Sequence, residues 1–235
     1  MCATTALRSE KTDPHCTATG AQSPLAGAPW RRFLVIGDQI ATGRDESSRG
    51  HGGGSWADRV AAALRRVQPC LAYLNLGTRG KLVAEVRSRQ LARALQFQPD
   101  LTALMCCGQE LVRERFDADV VEAEFDRVVA ALRENGGDVL MVNWFDVTRR
   151  GGSRPDEATR GLRLRLRELA ERKQAVALRH GAIYVDLAAR PRGAAPDGRG
   201  AHGADPAVRE HAVAAASVVH GLRDHLAGGV PDDWR

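Results

Sequence analysis

The chain has 235 residues, a formal net charge of +5, 43% hydrophobic and 27% charged residues, which fits one folded domain and excludes wholesale disorder. The positive charge is almost all arginine, interleaved with acids as in Arg113-Glu114-Arg115 and Arg167-Glu168, without the concentrated basic stripe of a nucleic-acid surface. Cys2, Cys16, Cys70, Cys106 and Cys107 are odd in number and lack C-x-x-C spacing, which argues against a disulfide framework or structural zinc, and no apolar run approaches the ~20 residues of a membrane span.

The chain opens on a stretch rich in Thr, Ser, Ala, Gly and Pro that carries Glu10 and Asp13 and has no apolar block, a pattern not expected of a signal peptide. Residues 1–30 therefore read as a disordered tail of a cytoplasmic protein. Phe33-Leu34-Val35-Ile36, closed by Gly37, is a buried strand. A loop rich in Gly, Ser and Arg runs to Gly54, and its Gly50-His51-Gly52-Gly53-Gly54 run has no phosphate-loop signature. Ser55 then opens a helix, with Asp58 at capping-box spacing and Trp56, Val60, Ala63, Leu64 and Val67 on one face. Pro69 ends it.

Strand patterns follow at residues 71–76, 101–107, 139–144 and 182–187. Between them lie helical patterns at about 81–97, at a stretch carrying Val121, Phe125, Val128 and Leu132 that stops at Asn135-Gly136, and at 157–180. In the last of these Leu162, Leu164 and Leu166 alternate with arginines as in a strand, but length and the Glu-Leu-Ala-Glu-Arg-Lys continuation favour a helix. A final helix has Asp205 as N-cap, Pro206 in first position, and Val208, Ala212, Ala215, Val219, Leu222 and Leu226 as its apolar stripe. Regular alternation of strand and helix implies a three-layer α/β/α domain with a parallel sheet, spanning 31–228 between the first tail and a second at 229–235. Ligands of such sheets bind outside the carboxyl ends of the strands.

The segments at those ends are Gly37-Asp38-Gln39-Ile40-Ala41-Thr42-Gly43, Asn75-Leu76-Gly77-Thr78-Arg79-Gly80 and Cys107-Gly108-Gln109-Glu110-Leu111, with His202 before the last helix. Together with Trp56-Ala57-Asp58-Arg59, Gln98-Pro99-Asp100-Leu101 and Phe145-Asp146, this set resembles the SGNH (GDSL) hydrolase family over nearly all of residues 33–226. The resemblance implies a five-stranded flavodoxin-like sheet and hydrolysis of esters of acyl chains, acetylated sugars or lipids. It also implies a nucleophilic serine directly after the first Gly-Asp pair. The oxyanion donors would be that serine's N–H, a glycine after strand two and an asparagine after strand three. The base would be a histidine with an aspartate three residues before it.

The carry-over is partial. Gly77 fits the oxyanion glycine and His202 the base. The serine position holds Gln39, whose amide is no nucleophile. The Asn-Asp pair reads Gln109-Glu110, each longer by one methylene. Arg199 stands where the aspartate orienting the histidine is expected, and Asp197, five residues ahead of His202, is the nearest acid. Serine esterase chemistry of the usual kind is therefore not expected.

The leading reading is an enzyme that keeps the pocket and uses His202 with Asp38 or Glu110 for acid–base chemistry on a small carbonyl or acylated metabolite, in a bacterial specialised pathway. Gln39, Gly77 and Gln109 would bind substrate, Asp197 would orient the base, and neither metal nor cofactor is implied. A second reading is a pseudoenzyme that binds a ligand or partner. A third is an esterase with a relocated nucleophile, for which Thr42, Ser47, Ser48 and Cys107 are the candidates. His211 and His220 lie nine residues apart on one helix, so they cannot chelate one metal, and both are expected at the surface.

Overall fold

Five short strands form one parallel sheet: β1 (Arg32–Gly37), β2 (Ala72–Asn75), β3 (Leu101–Met105), β4 (Asp138–Asn143) and β5 (Ile183–Asp186), in the order β2-β1-β3-β4-β5. This is the flavodoxin-like order, with its switch point between β1 and β3. The computed structural model describes residues 24–42, 54–106, 108–146, 148, 156–188 and 206–228, and every structural statement concerns these. Nearly continuous burial of β1, β3 and β4 matches their unbroken apolar sequence, as expected of strands covered on both faces.

The helices are α1 (Gln39–Thr42), α2 (Trp56–Arg65), α3 (Val83–Gln96), α4 (Gly108–Leu111), α5 (Ala118–Glu134), α6 (Glu157–His180) and α7 (Pro206–Leu226). On one side of the sheet Trp56, Val60 and Leu64 of α2 share an apolar cluster with Val218 and Leu222 of α7. On the other, Val86 of α3, Phe125 and Val128 of α5 and Leu169 and Val176 of α6 share a second. The expected three layers are present.

Local signals explain where these helices begin and end. Ser55 Oγ accepts from Asp58 N at 3.1 Å while Asp58 Oδ2 accepts from Ser55 N at 3.1 Å, the reciprocal box its spacing predicts. Asp117 caps α5 through Asp119 N and Val120 N, and Asp156 caps α6 through Thr159 N. The left-handed Gly181 (φ 58°) stops α6. Within α6, Leu162 and Leu166 pack on the second cluster whereas Leu164 is 64% exposed. A strand would have put all three on one face, so the spacing is helical.

Two expectations change. Residues 24–30 belong to the folded domain, because Leu25, Ala28 and Trp30 are buried in the first cluster and Trp30 Nε1 donates to Asp138 Oδ2 at 2.9 Å. Residues 1–23 and 229–235 lie outside the described residues. His220 is exposed as expected, but His211 is half-buried: its Nδ1 accepts from Trp56 N at 3.3 Å and its ring lies 5.7 Å from that of Trp144. Among the described residues no helix is long and apolar enough to cross a membrane.

Candidate active site

The pairing register sets Val35 beside Asn75 and Gly37 beside Met105, so the carboxyl ends of β2, β1 and β3 lie side by side. Gly37 has φ 142°, and a Cβ there would stand 1.7 Å from Met105 O. Only glycine permits that approach. It lets Asp38 N donate to Met105 O at 3.1 Å and turns the chain into α1.

Asp38 is 1% exposed. Its Oδ1 accepts from Ile40 N at 2.9 Å, and its Oδ2 accepts from Gly108 N at 3.0 Å. The carboxylate thus joins the turn after β1 to the start of α4 after β3. Asp38 is a buried brace, accepting hydrogen bonds from the turn as the family resemblance also suggests, and both of its oxygens hold backbone donors. Gln39, the next residue, opens α1 and is exposed.

Gly77 follows β2. Its N–H donates to Asn75 Oδ1 at 2.9 Å, and Asn75 Nδ2 donates to Ala41 O at 2.9 Å. The expected oxyanion donor is therefore already engaged, in a loop latched to α1. Thr78 N donates to Gly37 O at 3.1 Å, a second latch between the same segments.

Gln109 is half-buried in α4. Glu110 beside it is 7% exposed and turned toward α3, where its Oε1 accepts from Val83 N at 2.5 Å. The N-cap of α3 is Leu82, which has no side-chain acceptor, so Glu110 supplies the cap from another element. Its Oε2 is buried and has no hydrogen-bond partner. Burial pushes the Glu110 carboxyl above the usual range; the Val83 N–H and the Lys173 charge act against that, and the Asp38 charge adds to it. Glu110 thus caps α3 from α4, with one carboxyl oxygen on Val83 N.

His202, Asp197, Arg199, Ser47, Ser48, Cys107 and the side chain of Thr42 lie outside the described residues. Sequence reasoning misses Gln90, a buried amide bonded to Gly37. The signal is present: Gln90 interrupts the buried α3 stripe of Val83, Val86 and Ala94. It also misses the contacts among Trp56, Trp144 and His211, where Trp56 Nε1 donates to Ile40 O at 2.9 Å next to Gln39 in sequence and Trp56 N donates to His211 Nδ1.

A parallel sheet in flavodoxin-like order, with the turns after β2, β1 and β3 side by side, defines the class: a doubly wound α/β protein. The pattern of the GDSL-like Lipase/Acylhydrolase family matches residues 35–220, and the chain belongs to that family. No curated protein is significantly similar in sequence. Among solved structures, an acetylxylan esterase from Geobacillus stearothermophilus is similar with a TM-score of 0.59, at 20% identity, over 86% of this chain and 96% of that one. An α/β hydrolase enzyme from the metagenome of Lake Arreo, Spain, is similar with a TM-score of 0.60, at 21% identity, over 86% and 99%. Variants of the Geobacillus enzyme described as catalytic mutants replace a serine, an aspartate and a histidine.

Proposed function

We propose that this protein is a cytoplasmic enzyme of the GDSL-like family that acts on a small acylated or carbonyl metabolite without forming an acyl-enzyme at the head of α1. The observation that carries this reading is Gln39. It follows Gly37-Asp38 directly, opens α1 and is exposed, where the family resemblance calls for a hydroxyl. A primary amide can donate to a carbonyl oxygen or accept from a hydroxyl, but it does not attack an acyl carbon.

In the hydrolytic form of the reaction His202 takes a proton from water, the resulting hydroxide adds to the acyl carbon, and the leaving alcohol departs with the proton returned by the imidazolium. Asp197 is the acid available to orient that imidazole. Gln39 and Gln109 donate to the carbonyl oxygen. Elimination and intramolecular cyclisation need the same proton transfers, and a specialised bacterial pathway is the setting that fits the altered constellation. No cofactor, nucleic acid or membrane enters this scheme.

The test is turnover of a panel of acetylated and aryl-ester metabolites by the wild type and by His202→Ala. Turnover that disappears in the variant supports the scheme, and unchanged turnover removes His202 from it. A pseudoenzyme is the second reading. It is favoured by the engagement of Asp38, Glu110 and Gly77 with neighbouring protein groups instead of an open cleft. A ligand retained on purification, with no conversion across the panel, would select it.

A further inference from the structure

Gln90 lies on the sheet-facing stripe of α3 and is 5% exposed. Its Oε1 accepts from Gly37 N and its Nε2 donates to Gly37 O, each at 2.9 Å. The side-chain amide thereby treats Gly37 as a strand neighbour would, satisfying donor and acceptor of one residue in a closed pair. Gly37 O also receives Thr78 N at 3.1 Å, and the next residue reaches Met105 O through Asp38 N. One residue thus ties the head of α1, the loop after β2 and the end of β3, and one side chain from α3 holds it.

We propose that Gln90 is a positioning residue, which sets Gln39 and Gly77 relative to each other through the peptide groups of Gly37. This deepens the functional reading and rests on its assignment of Gln39 to the site. The chemistry demanded of position 90 is narrow: one acceptor and one donor on a planar group, at the reach of Gln. An apolar side chain of similar length leaves the buried Gly37 N–H without this acceptor and the Gly37 C=O with one donor fewer, Thr78 N alone being kept of the two named. A carboxylic acid reproduces the pair only when protonated, with its carbonyl accepting from N–H and its hydroxyl donating to C=O. Ionised, it sets an anion against the Gly37 carbonyl.

The experiment follows backbone amide resonances of the full chain in wild type, Gln90→Glu and Gln90→Met. In acid, Gln90→Glu should keep the Gly37, Asp38, Gln39, Gly77 and Thr78 amides near their wild-type positions. As pH rises these resonances should move together with one midpoint and return on reacidification, while the wild type lacks that transition. Gln90→Met should displace them at every pH. If wild type turns over p-nitrophenyl acetate, kcat of Gln90→Met should fall about 100-fold with KM little changed, as misplacement by an ångström can produce. The proposal is overturned if Gln39, Gly77 and Thr78 keep wild-type shifts in both variants while changes stay within α3. A wild type without turnover would count against the functional reading, and the resonance outcome would still decide the role of Gln90.

Discussion

The Oε1 atom of Glu110 lies 2.5 Å from the backbone nitrogen of Val83, so a carboxyl borne by α4 caps the amino end of α3. The family resemblance invites a catalytic reading of this acid, and the geometry gives it a structural one. A carboxyl at a helix amino end is favoured by the unpaired N–H groups there, although burial disfavours its charge. The two effects compete within one side chain.

Glu110→Ala should destabilise the protein by about 1–2 kcal/mol, the scale of a lost helix cap. Denaturant unfolding at neutral pH measures it. Glu110→Gln keeps an acceptor for Val83 N and removes the ionisation. Because burial raises the folded-state pKa of Glu110 above its unfolded value, the wild type is favoured in acid and loses stability as pH rises through that window. The midpoint of Glu110→Gln relative to wild type should therefore increase with pH, and a gap that is constant or shrinks would contradict the assignment.

Asp38→Asn offers one acceptor oxygen where two backbone donors, Ile40 N and Gly108 N, need one each. An amide –NH2 would then face one of them. The expected cost is about 1–3 kcal/mol, that of a buried group left unpaired, read from thermal unfolding. A variant as stable as wild type would mean that Asp38 does not brace the two turns.

Gly37→Ala should fail to yield folded protein. The new methyl would meet Met105 O at 1.7 Å, at a φ of 142° that side chains rarely adopt. The penalty should exceed about 4 kcal/mol. Soluble, cooperatively folding Gly37→Ala would show that this turn is laid out differently.

Gln39→Ser should not create an efficient serine esterase. Gly77 N–H remains tied to Asn75 Oδ1, and Arg199 still occupies the place of the orienting acid. Rates on p-nitrophenyl acetate should stay near those of the parent, whereas Gln39→Ser combined with Arg199→Asp should raise them. A large gain from the single change would show that the rest of the machinery is intact.

The strands and the helix starts were legible because their signals are local. Ser55 and Asp58 sit three residues apart, and the strands are runs of apolar residues between turn residues. Leu162 and Leu166 declared a helix once their burial could be set against exposed Leu164. The distant partners of the acids were not legible. Asp38 finds Gly108 across seventy residues of sequence and Glu110 finds Val83 across twenty-seven, and no spacing rule says which backbone donor a buried carboxylate will meet. The placement of Leu25 and Trp30 was hidden for the same reason: a lone tryptophan has no periodicity, and its partner Asp138 is far along the chain.

The central claim is that no serine-type nucleophile operates at the head of α1, and intact-protein mass spectrometry after exposure to a fluorophosphonate measures it directly. The account predicts an unchanged mass for wild type under conditions that fully label a serine esterase. A stoichiometric adduct, mapped to Thr42, Ser47, Ser48 or any other hydroxyl or thiol, would contradict it.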